Sequence, residues 1–368
     1  MNVESSMLKA TTAPHRPRIA LVAPSMDILG GQGVQAYHLQ KKLLDEGYEV
    51  LFIPVNLQFP KVVRWLHRIP YLRTVINELL YIPSLLAVRH VDVVHVFSAS
   101  YWSFLLAPVP AMLMARLFGR YLILNYHSGE AEDHLANWGY LVHPWLLLPH
   151  EIIVPSTYLQ EVFSRYRYKT RVIRNIVNTA IFKYRERTSL QPRLLSVRNL
   201  EPHYRVDVTI LAFALLKHRY PGASLTIVGY GGKENRLKQL VKTLNVEGIR
   251  FLGRVEQAQM PGIYDDADIF VNSSVIDNQP VSILEAFAAG LVVVTTGTGD
   301  ISAMVSDTRA GYIVPTEDPK AMADTLVNIL EQPGHAIQAV HRAREEVGKY
   351  AWTHVCSEWT RSYLRMET

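Results

Sequence analysis

Short apolar runs alternate with amphipathic stretches twice over along these 368 residues, which limits the chain to parallel sheets flanked by helices. In the first half, Arg18 to Ala23, Tyr48 to Ile53, Val91 to Phe97, Tyr121 to Asn125 and Glu151 to Pro155 read as buried strands. Helical stretches separate them, among them Val34 to Glu46 and Ser156 to Ser164. The second half repeats the pattern, with strands over Arg193 to Val197, Ser224 to Val228, Arg250 to Leu252, Ile269 to Asn272, Val292 to Thr295 and Tyr312 to Val314. Its helices include Val206 to Arg219, Lys233 to Leu244, Val281 to Ala289 and Pro319 to Glu331. A boundary is expected near Asn178 to Pro192, where apolar periodicity lapses and charges cluster from Lys183 to Arg187. The expected units are a disordered tail over 1–17, a doubly wound α/β domain over 18–179 and a second over 180–352. Ligands of such folds sit beyond the carboxyl ends of the strands, so two facing units place one in the cleft between them.

The length suffices for two full cores. A net charge of +5 is modest: it gives no ground for a nucleic-acid partner and leaves an acidic ligand or an anionic lipid open. The single cysteine, Cys356, excludes an internal disulfide and fits a reducing, cytoplasmic setting. No Cys/His cluster has metal-ligand spacing, so no metal is expected; no cofactor is expected either. Met1 to Arg16 lack the apolar core of a secretory signal.

Two segments raise the question of a membrane. Val96 to Ala115 carries no charge and is long enough to span a bilayer. It contains Ser98, Ser100, Ser103, Pro108 and Pro110 and overlaps the end of a strand, so a strand-to-helix crossover is the expectation. Lys61 to Arg89 sets five Lys/Arg against one acid, Glu78, among Trp65, Leu66, Ile69, Leu72, Leu79, Leu80 and Tyr81. Such a stretch can lie on an anionic membrane surface as a peripheral anchor. It can equally be a helical insertion, chopped by Pro70 and Pro83, whose basic face is merely solvated.

Three segments carry chemistry. Gly30-Gly31-Gln32-Gly33 follows the first strand and opens a helix, where glycines let a backbone approach a diphosphate at the helix's positive end. The dinucleotide fingerprint Gly-x-Gly-x-x-Gly is absent, which disfavours a nicotinamide-dependent dehydrogenase. Arg198 and Arg205 sit after the first strand of the second unit, where two cations can face the same phosphates or simply be solvated. Between Asp277 and Gly290, two carboxylates, Asp277 and Glu285, bracket a turn and the start of an apolar helix. Such a start can hold phosphates on backbone N–H groups while the carboxylates grip hydroxyls, a pairing that suits a nucleotide sugar.

With these segments in order, the chain resembles the retaining, GT-B-fold glycosyltransferases of family 4. The resemblance runs from Arg18 to about Tyr363. It includes Tyr126-His127-Ser128-Gly129-Glu130, Ser196-Val197-Arg198, Ile227-Val228-Gly229-Tyr230-Gly231, Phe251-Leu252-Gly253-Arg254-Val255, the Asp277 to Gly290 segment, Gly297-Thr298-Gly299-Asp300 and Gly311-Tyr312-Ile313-Val314-Pro315. It implies a UDP- or GDP-linked sugar as donor substrate and a saccharide or lipid-linked acceptor met by the first domain. It also implies that the final stretch, Trp352 to Tyr363, belongs to a C-terminal helix, expected over 353–368, that crosses back onto that domain.

By the same resemblance, Gly31 and Gly33 approach the donor diphosphate and His127 meets the transferred sugar. Arg198 neutralises the diphosphate. Gly229 belongs to the donor site, and Arg254 and Val255 line the base pocket. Asp277 faces the sugar hydroxyls, Glu285 grips the ribose, and the turn Gln279 to Ile283, with Val281 and Ser282, offers backbone N–H groups. The chain departs from the family pattern twice. Tyr204 and Arg205 stand where a Lys and a Gly are usual, so Arg205 is expected to supply the missing charge; Asp277 replaces a Glu and shortens the reach. Two alternatives remain open: an epimerase on the same fold, and a non-catalytic nucleotide-sugar binder, which the absent Lys motivates.

Overall fold

The computed structural model describes residues 16–25, 31–57 and 70–366. Six parallel strands form the first sheet: β1 (Ile19–Ala23), β2 (Val50–Pro54), β3 (Val93–Ser98), β4 (Tyr121–Tyr126), β5 (Glu151–Val154) and β6 (Arg171–Val172), in the order β2-β1-β3-β4-β5-β6. Six more form the second: β7 (Arg193–Val197), β8 (Ser224–Val228), β9 (Ile249–Gly253), β10 (Ile269–Asn272), β11 (Val292–Thr296) and β12 (Tyr312–Val314), in the order β12-β11-β10-β7-β8-β9. Every pairing is parallel. β1, β3, β10 and β11 are buried along their whole length, so these strands read as continuous apolar runs rather than as alternation.

Successive residues nevertheless serve opposite faces. In β1, Ala20 and Val22 join Tyr81, Leu85, Phe104 and Phe163 on one side, while Ile19 and Leu21 join Leu39 and Leu43 on the other. That second side is completed by Val355, Trp359 and Tyr363 of the terminal helix Trp352–Leu364. Ile173 and Ile176 still pack with the first sheet, whereas Val177 and Phe182 pack with the second, so the chain changes domain between Ile176 and Val177. It returns near Ala351, since Tyr350 packs with the second domain and Trp352 with the first.

The uncharged stretch Val96 to Ala115 divides into the end of β3, a helix Tyr101–Leu106 and the larger part of a helix Pro108–Leu117. Among the described residues no helix is long and apolar enough to cross a membrane. Of the basic stretch 61–89, residues 61–69 lie outside the described ones, and the remainder forms a helix, Pro70–Ser84, followed by a turn of 3-10 helix.

The charged cluster at the domain boundary has a structural task. Arg187 is buried, donates to the carbonyls of Ala267, Ala289 and Gly290, and pairs with the fully buried Asp268 at 3.1 Å. Arg185 and Arg193 reach the same carboxylate at 3.0 and 2.8 Å. These bonds fasten the connecting segment to the second domain.

Candidate active site

The segments that follow β1, β3 and β4 in the first sheet, and β7, β8, β9 and β10 in the second, line a cleft of ≈ 510 Å³ between the domains. It opens at the carboxyl ends of the strands, beside the two places where strand order reverses, β1/β3 and β7/β10. Gly31, Gly33, His127, Arg198, Gly229, Val255, Asp277, Gln279, Val281, Ser282 and Glu285 all line it. The helix Gly31–Asp45 begins at the cleft, so its positive end faces whatever binds there.

Arg198 leaves the end of β7 with its side chain largely withdrawn from solvent. Its Nε donates to Asn272 Oδ1 at 2.8 Å, its guanidinium lies over the Tyr204 ring at 5.5 Å, and its Nη2 stands 3.1 Å from Asp277 Oδ2. Asn272 is itself fixed by Thr295 Oγ1 and Ser274 Oγ, at 2.9 and 2.7 Å. Asp277 also accepts from Ser274 Oγ and from the Asn278 N–H. Its carbonyl is wedged between glycines of both domains: a Cβ on Gly129 would lie 2.8 Å from it, and one on Gly299 2.2 Å. At Gly299 the backbone is also left-handed, with φ +56°, so that position requires glycine twice over.

Pro280 precedes the helix Val281–Ala289 and supplies no N–H. The first amides of that helix, from Val281 and Ser282, have no partner within it and line the cleft. Glu285 follows one turn on, buried, with Oε2 accepting from Tyr264 Oη at 2.8 Å and Oε1 reached by Gln257 Nε2 at 3.4 Å. Burial pushes its carboxyl up to about 7, against the Tyr264 and Gln257 hydrogen bonds and the Arg198 charge, which favour the ionised form. His127 is half-buried with its ring stacked on Phe97, centroids 5.3 Å apart, and desolvation holds it down at about 3, so its imidazole is neutral at physiological pH.

Three expected residues fall elsewhere. Arg205 does not line the cleft: it sits at φ 46°, and its guanidinium pairs with Asp207, at 3.0 Å, and with Glu317. Its expected service to the donor phosphates is therefore corrected, because two carboxylates already hold its charge. Tyr204 occupies the wall instead, beneath Arg198. Arg254 is exposed and only its neighbours Gly253 and Val255 line the cleft. Ile283 is fully buried and donates its N–H to the Pro280 carbonyl at 3.1 Å, so it offers no amide to a ligand.

Gln279 lines the cleft, but its side chain binds the two domains together. Its Oε1 accepts from the Asn175 N–H at 3.1 Å, its Nε2 donates to the Pro155 carbonyl and to Asp300 Oδ2, both at 2.9 Å, and its carbonyl accepts from Asn175 Nδ2 at 3.0 Å. Ser156 Oγ donates to Asn278 Oδ1 at 2.7 Å beside it. Sequence reasoning did not find these contacts, nor Tyr264 and Gln257 around Glu285. Each depends on residues brought together from distant segments.

Residues 178–351 match the model of glycosyl transferases group 1, and residues 29–181 match that of glycosyltransferase family 4. The phosphatidyl-myo-inositol mannosyltransferase of Mycolicibacterium smegmatis is 26% identical, over 94% of this chain and 93% of its own. The glycogen synthase of Mycobacterium tuberculosis is 26% identical over 74% of this chain and 68% of its own. Among solved structures, Anabaena Alr3699/HepE in complex with UDP and glucose superposes with a TM-score of 0.73 at 15% identity, covering 95% of this chain and 100% of that one. With two family matches that meet at the domain boundary and between them run from 29 to 351, on a two-domain GT-B fold, the chain belongs to the group 1 glycosyltransferases of family 4.

Proposed function

We propose that this glycosyltransferase moves a hexosyl group from a nucleotide-sugar donor to a hydroxyl of a glycan or glycolipid, with retention of anomeric configuration. The carrying observation is the placement of Arg198, the Val281 and Ser282 amides and Glu285 around one helix start in the interdomain cleft. A diphosphate fits between Arg198 and those amides, where cation and helix dipole both favour negative charge. Glu285, once ionised, is an acceptor for two adjacent ribose hydroxyls. The UDP and glucose in Alr3699/HepE support a uridine-linked donor.

In the proposed step the bond from the sugar's anomeric carbon to the phosphate oxygen breaks, and its electron pair leaves with the diphosphate. The acceptor oxygen bonds to the anomeric carbon on the same face, and its proton passes to the departing phosphate. Arg198 and the helix start stabilise the charge that develops on that phosphate. None of the three carboxylates that line the cleft, Glu130, Asp277 and Glu285, is assigned as nucleophile; Asp277 is committed to Arg198, and Glu285 is buried against Tyr264. The nucleotide sugar is substrate, and neither metal nor cofactor is assigned a role.

The relatives named for phosphatidyl-myo-inositol and for glycogen support a glycolipid and a glycan acceptor respectively. A peripheral membrane site is supported by the helix Pro70–Ser84 and the turn after it, where Tyr71, Val75, Leu79, Ile82 and Leu86 are exposed at spacings that share one face. Co-sedimentation with anionic vesicles at low salt tests it, and absence of binding removes it. The central test is a thermal-shift panel of UDP- and GDP-sugars followed by product analysis. A donor that binds the folded chain raises its melting temperature. The reading fails if no nucleotide sugar does so, or if donor alone yields an epimer.

A further inference from the structure

Ala99 and Glu130 line the cleft on the first domain's side, and just beyond them the chain assembles an aromatic corner. Tyr101 stands at φ 55°, a left-handed conformation that a side chain of this size adopts only when its surroundings hold it there. Its Oη donates to Asp133 Oδ2 at 2.5 Å, and its ring meets Trp138 edge-on, with centroids 5.4 Å apart at 68°. Asp133 Oδ1 accepts from Asn137 Nδ2 at 2.6 Å, so the carboxylate is aimed from two sides while remaining exposed. The Tyr101 and Asn137 bonds hold it below the ordinary range, and hence ionised. Trp102, the next residue, meets Trp138 at 90° with centroids 5.4 Å apart.

A packing role would bury Trp102, yet it is 63% exposed while its partner Trp138 is half-buried. The result is an open indole face, propped by a second indole, with an oriented carboxylate nearby. Continuity with the cleft comes through Glu130, which lines the cleft and directly precedes the helix Ala131–Asn137 that carries Asp133 and Asn137. A pyranose ring matches such a corner, because its C–H face stacks on an aromatic plane and its hydroxyls donate to carboxylates. An anionic lipid surface or a phosphorylated ligand matches it poorly, since Glu130 and the exposed Asp133 carboxylate stand there, Glu132 beside them being paired with Arg165.

We propose that Trp102, held by Trp138 and flanked by Asp133, is a subsite for a neutral pyranose of the acceptor, outside the position where transfer occurs. This rests on the glycosyl-transfer reading, and it specifies a saccharide as the part of the acceptor that the first domain grips.

The test uses the full chain on an array of neutral and charged glycans, with nucleotide-sugar thermal shifts measured on the same samples. Expected is binding to neutral glycans that falls at least about tenfold in Trp102→Ala, is largely kept in Trp102→Phe, and weakens about threefold in Asp133→Asn. The nucleotide-sugar shift should be the same in all of them, which also shows that each variant folds. Neutral-glycan binding unchanged in Trp102→Ala overturns the subsite. So does a wild-type chain that shifts with nucleotide sugar yet binds no neutral glycan. A Trp102→Ala variant that loses anionic-vesicle binding and keeps glycan binding makes the indole a membrane anchor instead. Loss of the nucleotide-sugar shift in the wild type strikes the glycosyl-transfer reading, and is distinguishable because glycan binding is read separately.

Discussion

Arg198 and Asp277 neutralise each other in the cleft, with Nη2 and Oδ2 3.1 Å apart and both side chains largely withdrawn from solvent. A donor diphosphate must therefore compete with Asp277 for the guanidinium. Asp277→Asn should tighten binding of the free nucleoside diphosphate by about fivefold, the equivalent of about 1 kcal/mol, while lowering transfer. Arg198→Ala should cut kcat by about 10²–10³-fold, the usual effect of losing one preorganised donor to a developing anion. Calorimetric titration with UDP and GDP, and initial rates of sugar transfer, read the two effects. Weaker nucleotide binding in Asp277→Asn would contradict the competition.

Glu285 makes stability depend on pH in a defined direction. Its folded-state value of about 7 lies above the 4.5 of the free side chain, so the folded chain holds the proton more tightly. That stabilisation is complete below about pH 4.5 and is lost as the pH rises through 7. Glu285→Gln should then be more stable than the parent at pH 8, by something on the order of 3 kcal/mol, and gain little at pH 5. Scanning calorimetry of the nucleotide-free protein at both pH values checks the sign. The same substitution should weaken donor binding, since an amide is a poorer acceptor for two hydroxyls than a carboxylate.

Arg205 should be dispensable for turnover. Its pairs with Asp207 and Glu317 lie outside the cleft and are partly solvated, so Arg205→Ala should leave transfer within about twofold and cost at most about 1 kcal/mol of stability. A fall of a hundredfold in kcat with donor affinity unchanged would return Arg205 to the phosphate site.

The opposite holds for Asp268. Removing its charge leaves Arg187 buried without its counter-ion, and Asp268→Asn should lose about 3–5 kcal/mol, visible as a lower denaturation midpoint. Donor affinity in the fraction that folds should be unaffected, because none of Arg185, Arg187 and Arg193 lines the cleft.

Much of this molecule can be read from its sequence because parallel strands are buried on both faces and announce themselves as apolar runs. The strand segments at Val91–Phe97 and Val292–Thr295 were legible for that reason, and the residues just after strands marked the cleft. β6, only Arg171–Val172, is too short to leave such a pattern. Asp277 and Glu285 could be placed because their helix start is local. The partners of these acids could not: Tyr264 reaches Glu285 from a separate helix, and Arg198 arrives from another strand. Arg205 misled because its charge was legible and its left-handed backbone, which turns it toward Asp207, was not. The side-chain role of Gln279 was not legible, since its amide finds Asn175 and Pro155 only once the domains meet.

The terminal helix sets an order of events during synthesis. One face of the first sheet is closed by Val355, Trp359 and Tyr363, so the first domain leaves the ribosome with Leu39, Leu43 and Phe97 still lacking that cover. The second domain must be translated in between, which at ~5–20 residues per second leaves that apolar surface open for roughly 10–40 s. During that interval the nascent first domain is a substrate for chaperones and for aggregation, and the last thirteen helical residues, Trp352–Leu364, act as the intramolecular cover that ends the exposure.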